Sequence, residues 1–405
     1  MSTVPTITGL SLRIPRAARH VQERTDTSAP PRVAISGFGL VSPLGCAAPT
    51  TWDAILAGRV IEDHASAPLA SRADEARVTT LAIHAAREAV ASADWSGGQL
   101  SGDSTAVIVG TSKGPVETWL TAPPEHISLS TYIAAGCDDV FGLASVCDAV
   151  ARDLGIGAGP RLTLSAACAS GLHALGRAWM MIRSRQVERA IVVAAESSLH
   201  PLFLGSFKRL GVLPKNGVGC RPFDEARDGF LMSEAAAAVC LTASDVHAGG
   251  DESGGIIVDG FAMGGDATHL TAGDPDGRLL RRLIAQVTGT NPIDLVHAHG
   301  TGTVTNDPVE LSAIDDTVHG TPNVFSHKAA LGHSLGAAGL ISVVLNCMSH
   351  QRGIIPPNAR AERPLHGEHA KISRVATRRE IRRSIAIAAG FGGPTAVVGL
   401  TRKTL

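Results

Sequence analysis

Aromatic side chains are scarce in this chain: Phe, Trp and Tyr make up 3% of its 405 residues, and there is a single Tyr. A core of ordinary density must therefore be filled by Val, Ile, Leu and Ala, which suits closely packed strands and helices. No apolar run approaches 18 residues, so no transmembrane helix is predicted. The N-terminus also lacks the apolar segment of a signal peptide. Charged residues are few, at 18%, and sum to a formal −1. With no basic tract beyond short clusters, nucleic acid is excluded as an expected partner. The seven cysteines (46, 137, 147, 168, 220, 240 and 347) are scattered, odd in number and free of any CxxC pair. That usage fits a reducing compartment better than a disulfide framework, so a soluble, cytoplasmic protein is expected.

The length predicts two or three domain-sized units. Residues 1–31 are rich in Ser, Thr, Pro and Arg and lack a sustained apolar period. Arg13, Arg16 and Arg19 give this stretch a faint look of a transit peptide, but the expected reading is a plain disordered or surface-lying extension. Regular structure is predicted from RVAISGFGL (32–40), a strand ending in a Gly-rich bend. Helices follow near 50–57 and over 77–93, then a buried strand TAVIVG (105–110). Residues 131–154 read as mostly helical, and further strands are expected at 162–164 and 190–195. Strands alternating with helices predict a largely parallel sheet covered on both faces.

The polar run ASDVHAGGDES (243–253) reads as a boundary, and beyond it the order of elements restarts. GIIVDGFA (255–262) echoes the first strand, PIDLVHAHG (292–300) stands where TAVIVG stood, and 324–328 leads into a Gly-rich corner and helix. A strand at 385–390 then matches 190–195. The expectation is an internal duplication, with one half over 32–250 and the other over 251–405. Cys168 and His333 would then begin equivalent helices and meet at a central seam.

The stretch RLTLSAACASGLHALGR (161–177) anchors the chemistry. A short apolar strand leads through small residues to Cys168, after which Leu172, Leu175, Ala178, Trp179 and Ile182 recur at helical spacing. Cys168 is thus expected at a strand-to-helix corner, where unpaired N–H groups and the helix dipole favour a thiolate. An isolated Cys is more often a small buried hydrophobe. The weight shifts because two His and a Lys occupy similar corners downstream.

In VHAHGTGTVTNDPVEL (296–311), His297 and His299 alternate on a strand and invite a metal reading. No HExxH or CxxC pattern completes such a site, and Asp307 and Glu310 belong to the following helix, so no metal is expected. His299, at the end of its strand before a Gly-Thr-Gly-Thr turn, is better placed as a catalytic imidazole. In SHKAALGHSLGAAG (326–339), Gly332, Gly336 and Gly339 permit tight turning and close helix contact. His333 sits at the turn into an Ala-rich helix, able to donate a hydrogen bond to a developing oxyanion, and Lys328 offers a charge. Each alone reads more readily as a satisfied core His or a surface Lys. AGFGGPT (389–395) is a Gly-rich turn whose backbone N–H groups could complete an oxyanion hole, with Phe391 as an apolar gate. One decoy, GTSKG (110–114), matches a G-x-S-x-G elbow, but three fixed positions arise easily in a chain with 44 glycines, and no acid and His complete a triad.

Taken in order, SAACASG, HGTGTVTNDPVE, KAALGHSLGAAG and GFGG, together with RPFDEARDGF (221–230), resemble the β-ketoacyl-acyl-carrier-protein synthases of the elongating, Cys-His-His type. The resemblance spans nearly everything from Arg32 to Leu400. It implies the duplicated thiolase-like α/β fold with five α-β-α-β-α layers, and a homodimer, with a heterodimer of two synthase-like chains as the other assembly. It implies that Cys168 takes an acyl chain from an acyl carrier protein, and that His299 and His333 assist decarboxylation of malonyl-acyl carrier protein. Lys328 and Glu310 would support the His pair, with Asp307, Thr301 and Thr303 as further supporting positions. The Cys168 and Phe391 N–H groups, flanked by Gly390 and Gly392, would form the oxyanion hole. No metal or organic cofactor is implied. Docking of an acidic carrier calls for a basic patch, for which Lys208 and Arg209 are the candidates.

Three departures from the family pattern stand out: SEAA (233–236), Ile387-Ala388-Ala389 before the glycine turn, and the loop GVLPKN (211–216). The small residues near Phe391 are expected to widen the acyl pocket. Two other classes stay open. One is a non-catalytic subunit that sets chain length, which typically lacks the active-site Cys. The other is a thiolase-like acyltransferase using coenzyme A, which usually has a second Cys near its C-terminal turn.

Overall fold

Alternation of apolar residues on both faces of successive strands requires cover on both sides of a sheet, and the chain supplies it twice. The computed structural model describes residues 29–71, 75–121, 142–215, 219–244 and 255–402. Nearly all of the N-terminal extension, the 131–141 part of the helix expected over 131–154, and all but the first two residues of the 243–253 boundary lie outside the described residues. The first set of elements is β1 (Arg32–Val41), α1 (Ala48–Leu56), α2 (Arg77–Ser92), β2 (Thr105–Gly110), α3 (Ala144–Asp153), β3 (Arg161–Leu164), α4 (Ser170–Arg183), β4 (Arg189–Glu196), α5 (Pro201–Arg209) and β5 (Ala235–Ser244). The second is β6 (Ile256–Gly265), α6 (Arg278–Thr288), β7 (Leu295–His297), α7 (Asn306–Thr317), β8 (Asn323–Phe325), α8 (Ala338–Arg352), β9 (Arg383–Ala389) and β10 (Pro394–Arg402).

The strands pair in the order β3-β2-β4-β5-β1-β6-β10-β9-β7-β8, with the short strand Lys371–Ile372 outside β8. From its outer edge, the first set runs third, second, fourth, fifth, first. The second set, β8-β7-β9-β10-β6, repeats that order. β1 and β6 join the two antiparallel through Ala34↔Ile257 and Ile35↔Ile256. Five layers follow from which face each side chain takes. On β4, Ala190, Val192 and Ala194 enter a central core with α4 and α8, while Ile191, Val193 and Ala195 enter an outer core with α2 and α3. On the second set, Ala386 and Ala388 face the central core, whereas Ile385 and Ile387 face a third core with α6 and α7. The architecture is the duplicated thiolase-like α/β fold, α-β-α-β-α.

β5 is the element the sequence hides. Its four consecutive alanines favour helix, yet it lies between β1 and β4, antiparallel to both. Ala235, Ala237, Val239 and Leu241 face the central core, and Ala236, Ala238 and Cys240 the outer one. Burial on two faces overrides local propensity.

Candidate active site

Cys168 lies two residues ahead of α4, with Ala169 as the N-cap. The corner is tight: Ala167 takes φ 49°, a conformation that costs a non-glycine residue on the order of 1–3 kcal/mol. Ser170, not singled out from the sequence, braces it. Its hydroxyl accepts from Ala166 N at 2.9 Å and donates to Ala167 O at 2.6 Å. The thiolate expected at this corner is not what the surroundings favour. Burial pushes the Cys168 thiol up to about 11, and Lys113 and then Lys328 only partly offset it. Desolvation of the charged form outweighs the favourable corner.

The equivalent corner of the second set delivers His333. Its N–H donates to Leu231 O at 2.7 Å and its carbonyl accepts from Ser233 N at 3.2 Å. The SEAA departure thus begins as a short strand edge that holds His333. Glu234 of the same run pairs with Arg77 at 2.9 Å. The two corners meet in the central layer because small residues line the seam. A Cβ on Gly171 would sit 3.1 Å from both Gly336 O and Leu340 Cβ, so α4 and the His333 corner approach almost backbone to backbone.

His299 follows the end of β7, and two carboxylates of α7 fix its loop. Glu310 accepts from His299 N at 2.6 Å and Gly300 N at 2.7 Å. Asp307 accepts from Gly302 N at 3.1 Å and from Phe223 N at 2.7 Å. Thr301 and Thr303 join hydroxyls at 2.9 Å, and Thr303 also accepts from Asn306 N at 3.3 Å at the start of α7. Burial raises Glu310 to about 7 against the pull of its two backbone donors, and burial also raises Asp307. Lys328 donates its ammonium to His299 O. Burial is the main cause that pulls Lys328 below the ordinary lysine value.

The His299 and His333 rings stand 5.5 Å apart, centroid to centroid, at an interplanar angle of 81°. Burial first, then the Lys328 charge, holds both well below the ordinary imidazole range, so both rings are neutral at pH 7. Each buries its Nδ1 with no partner among the described residues. An enclosed lone pair is tolerated better than an enclosed N–H, which places the ring hydrogens on Nε2. His297 faces elsewhere: its ring bonds Asn346 at 3.0 Å and His327 at 2.9 Å. Among the described residues, no group of three or more His, Cys, Asp or Glu side chains is placed to hold a metal.

The glycine turn closes the site. A Cβ on Gly390 would lie 3.0 Å from Cys168 N, so the turn rests on the cysteine corner. Neither Cys168 N nor Phe391 N donates to an acceptor among the described residues. Gly392 is exposed, with φ 84°. Phe391 is half-buried and 6.2 Å from the Phe207 ring, which continues through Phe230 (5.8 Å) to His333 (4.8 Å). Phe207, Phe203, Leu204, Val212 and Leu213 share with Cys168 one apolar cluster built on Cys220, Phe230, Met232 and Leu335. The expectation that residues 387–389 widen the acyl pocket is corrected at two positions, since Ile387 and Ala388 fill the third and central cores. Lys208 and Arg209 lie exposed at the end of α5. Ser112 of the GTSKG decoy donates its N–H to Glu196 and takes a hydrogen bond from Lys113, and no His bonds it among the described residues.

Fold and corner chemistry together define a thiolase-like condensing acyltransferase. Residues 61–247 match the beta-ketoacyl synthase N-terminal domain and residues 256–362 match its C-terminal domain, so the chain belongs to the beta-ketoacyl synthase family. It is 28% identical to 3-oxoacyl-[acyl-carrier-protein] synthase 2 of Coxiella burnetii (strain RSA 493 / Nine Mile phase I), over 92% of this chain and 98% of that one. Identity is also 28% to the tetracenomycin polyketide synthase ketoacyl synthase alpha subunit of Streptomyces glaucescens, over 92% and 97%. A solved chain from a type II polyketide synthase acyl-carrier protein in complex with its ketosynthase, bound to the hexaketide, superposes with a TM-score of 0.81 at 25% identity. That match covers 92% of this chain and 99% of the other.

Proposed function

We propose that this protein is a 3-oxoacyl-[acyl-carrier-protein] synthase that joins a Cys168-bound acyl chain to malonyl-acyl carrier protein. The observation that carries the reading is the neutral His299–His333 pair, 5.5 Å apart, at the corner opposite Cys168. In the first half-reaction the Cys168 sulfur attacks the acyl thioester, its proton leaves with the carrier thiol, and the Cys168 and Phe391 N–H groups hold the oxyanion. In the second, Nε2–H of His299 and His333 hydrogen-bonds the malonyl thioester oxygen. The carbon–carboxylate bond breaks, CO2 departs, and the electron pair left behind forms the enolate. Its carbon attacks the acyl-Cys168 carbonyl, and the sulfur leaves as a thiolate that takes a proton from water as the 3-oxoacyl product forms. Lys328, through the His299 carbonyl, and Glu310, through two backbone N–H groups, keep the His299 loop in place. No metal or organic cofactor enters these steps.

The partner proposed is an acyl carrier protein. Lys208 and Arg209 on α5, flanked by Leu202 (53% exposed) and Leu210 (47% exposed), offer an acidic carrier both charge and apolar contact. A homodimer and a cytoplasmic location are proposed on family grounds. A thiolase using coenzyme A is disfavoured because AGFGG holds no second Cys. A chain-length subunit without catalysis is disfavoured because Cys168 and both His are in place. Intact-protein mass after incubation with acyl carrier protein, then with malonyl carrier, tests the reading. Acylation of Cys168 that discharges into a 3-oxoacyl product is expected. A folded protein that never acylates overturns it.

A further inference from the structure

β4 ends on Glu196, a carboxylate with no part in the steps above. Its side chain is fully buried and forms no ion pair among the described residues. Oε2 accepts from Ser112 N at 3.0 Å and from Gly336 N at 3.2 Å, and Oε1 accepts from the Ser198 hydroxyl at 2.7 Å. An enclosed carboxylate is costly, and three donors are what make it tolerable.

Two of those donors belong to the two reacting corners. Gly336 lies in the turn Leu335–Ala337 through which the chain leaves His333. Leu335 takes φ 42° there, a strained conformation that persists only where the surroundings hold it. Ser112 follows β2, and its carbonyl accepts at 3.3 Å from the hydroxyl of Ser165, on the strand end that leads to Cys168. A Cβ on Gly336 would meet Ser112 N at 2.7 Å and Glu196 Oε2 at 2.9 Å, so the fit leaves no slack. Glu310 holds the His299 loop through two backbone N–H groups within the second set of elements. Glu196 grips the His333 turn in the same manner, but from the first set and across the seam. Its charge also reaches Cys168: behind burial, the leading cause, it helps to raise the thiol against the two lysines.

We propose that Glu196 is a positioning residue for His333, pinning the turn that follows the imidazole to the strand ends that carry Cys168. This rests on the condensing activity proposed above and adds a residue to it. The role belongs to the reach of the side chain rather than to its charge, and two variants separate these. Glu196→Gln keeps the reach: its amide oxygen takes the two N–H groups while its nitrogen donates to the Ser198 hydroxyl. Glu196→Asp keeps the charge but falls short by one carbon–carbon bond, about 1.5 Å.

The full-length wild type and both variants are compared in each half-reaction. Cys168 acylation by octanoyl-acyl carrier protein is followed by intact mass, and CO2 release from malonyl-acyl carrier protein is followed on the acylated enzyme. Glu196→Asp is expected to lower kcat for CO2 release by on the order of 10- to 100-fold, the scale of a misplacement of about 1 Å. Its KM for malonyl carrier and its Cys168 acylation stay within about threefold of the wild type, since the grip acts on the His333 turn alone. Glu196→Gln restores CO2 release to within about fivefold of the wild type, because the geometry is kept. Undiminished CO2 release in the Asp variant, or a Gln variant as slow as the Asp variant, overturns the proposal. So does an equal loss of both half-reactions in the Asp variant, which a purely structural role would give. A wild-type chain that neither acylates nor releases CO2 overturns the condensing reading, and the role of Glu196 with it.

Discussion

Cys168, at the scale of single residues, works against its own burial. With the thiol pushed up to about 11, the resting enzyme holds little thiolate at neutral pH. Alkylation of Cys168 by iodoacetamide is expected to rise about tenfold per pH unit from 7 to 9, with no plateau in that range. Peptide mass mapping over a pH series checks it, and a plateau below pH 8 would mean a pre-formed thiolate. In the mechanism proposed for this enzyme, His333 acts only where charge develops on the malonyl oxygen. His333→Ala is therefore expected to leave Cys168 acylation within a few-fold and to cut CO2 release by on the order of 100- to 1000-fold, the usual cost of one lost oxyanion donor. Parallel loss of both half-reactions would contradict that division.

One hydrogen-bond relay at the scale of elements ties the second set together, and its direction can be read bond by bond. His350 Nδ1 donates to Ile381 O (2.9 Å), so its Nε2 accepts from Ser384 Oγ (2.9 Å). Asn346 Nδ2 donates to Ser384 Oγ (3.2 Å) and Ile385 O (3.1 Å), which turns its Oδ1 to accept from His297 Nδ1 (3.0 Å). His297 Nε2 then accepts from His327 Nδ1 at 2.9 Å. α8, β9, β7 and the segment that carries Lys328 and His333 are joined in one buried chain. Asn346→Leu leaves the partners unpaired and is expected to cost about 1–3 kcal/mol, seen as a lower Tm. Because the Cys168 corner lies outside the relay, condensation should suffer more than acylation. Equal losses in the two half-reactions would show that Asn346 acts on stability alone.

At the scale of the whole molecule, six histidines among the described residues, 173, 297, 299, 327, 333 and 350, are held below the ordinary imidazole value by burial. In the unfolded chain each binds a proton near pH 6.5, while in the fold His350 waits until about 4 and His297 until about 3. Their contribution to stability is complete above pH 6.5 and is lost as pH falls toward those folded values. Each drains up to about 1.4 kcal/mol per pH unit in that window. Glu310, raised to about 7, and Asp307, Glu88 and Glu117, also raised by burial, act in the opposite sense above their unfolded values, and the six imidazoles outnumber these four carboxyls. Calorimetry at pH 7, 6 and 5 is expected to show the Tm falling at each step. A flat or rising series would mean the buried imidazoles are already protonated in the fold.

Sequence alone determined the repeat of element order, the corner positions of Cys168 and His333, and the place of His299 at a strand end. Local signals sufficed there: β-branched buried runs, helical spacing of apolar residues, and glycines where the chain turns. The alanine strand β5 was illegible, because four alanines become a strand only when β1 and β4 flank them. So was the role of Ser170, whose hydroxyl matters only once the corner has formed. The Cys168 thiol went up where the sequence pointed down, since desolvation depends on what the other elements bring around it. Lys113 sat in a stretch that resembled a hydrolase elbow, and only the packing of α5 set its ammonium beside the Phe203 and Phe207 rings. Spacing along the chain fixes which side chains sit at corners. Which charges share one desolvated pocket is decided by the packing of the two halves, because burial and Coulomb interaction act through space rather than along the sequence.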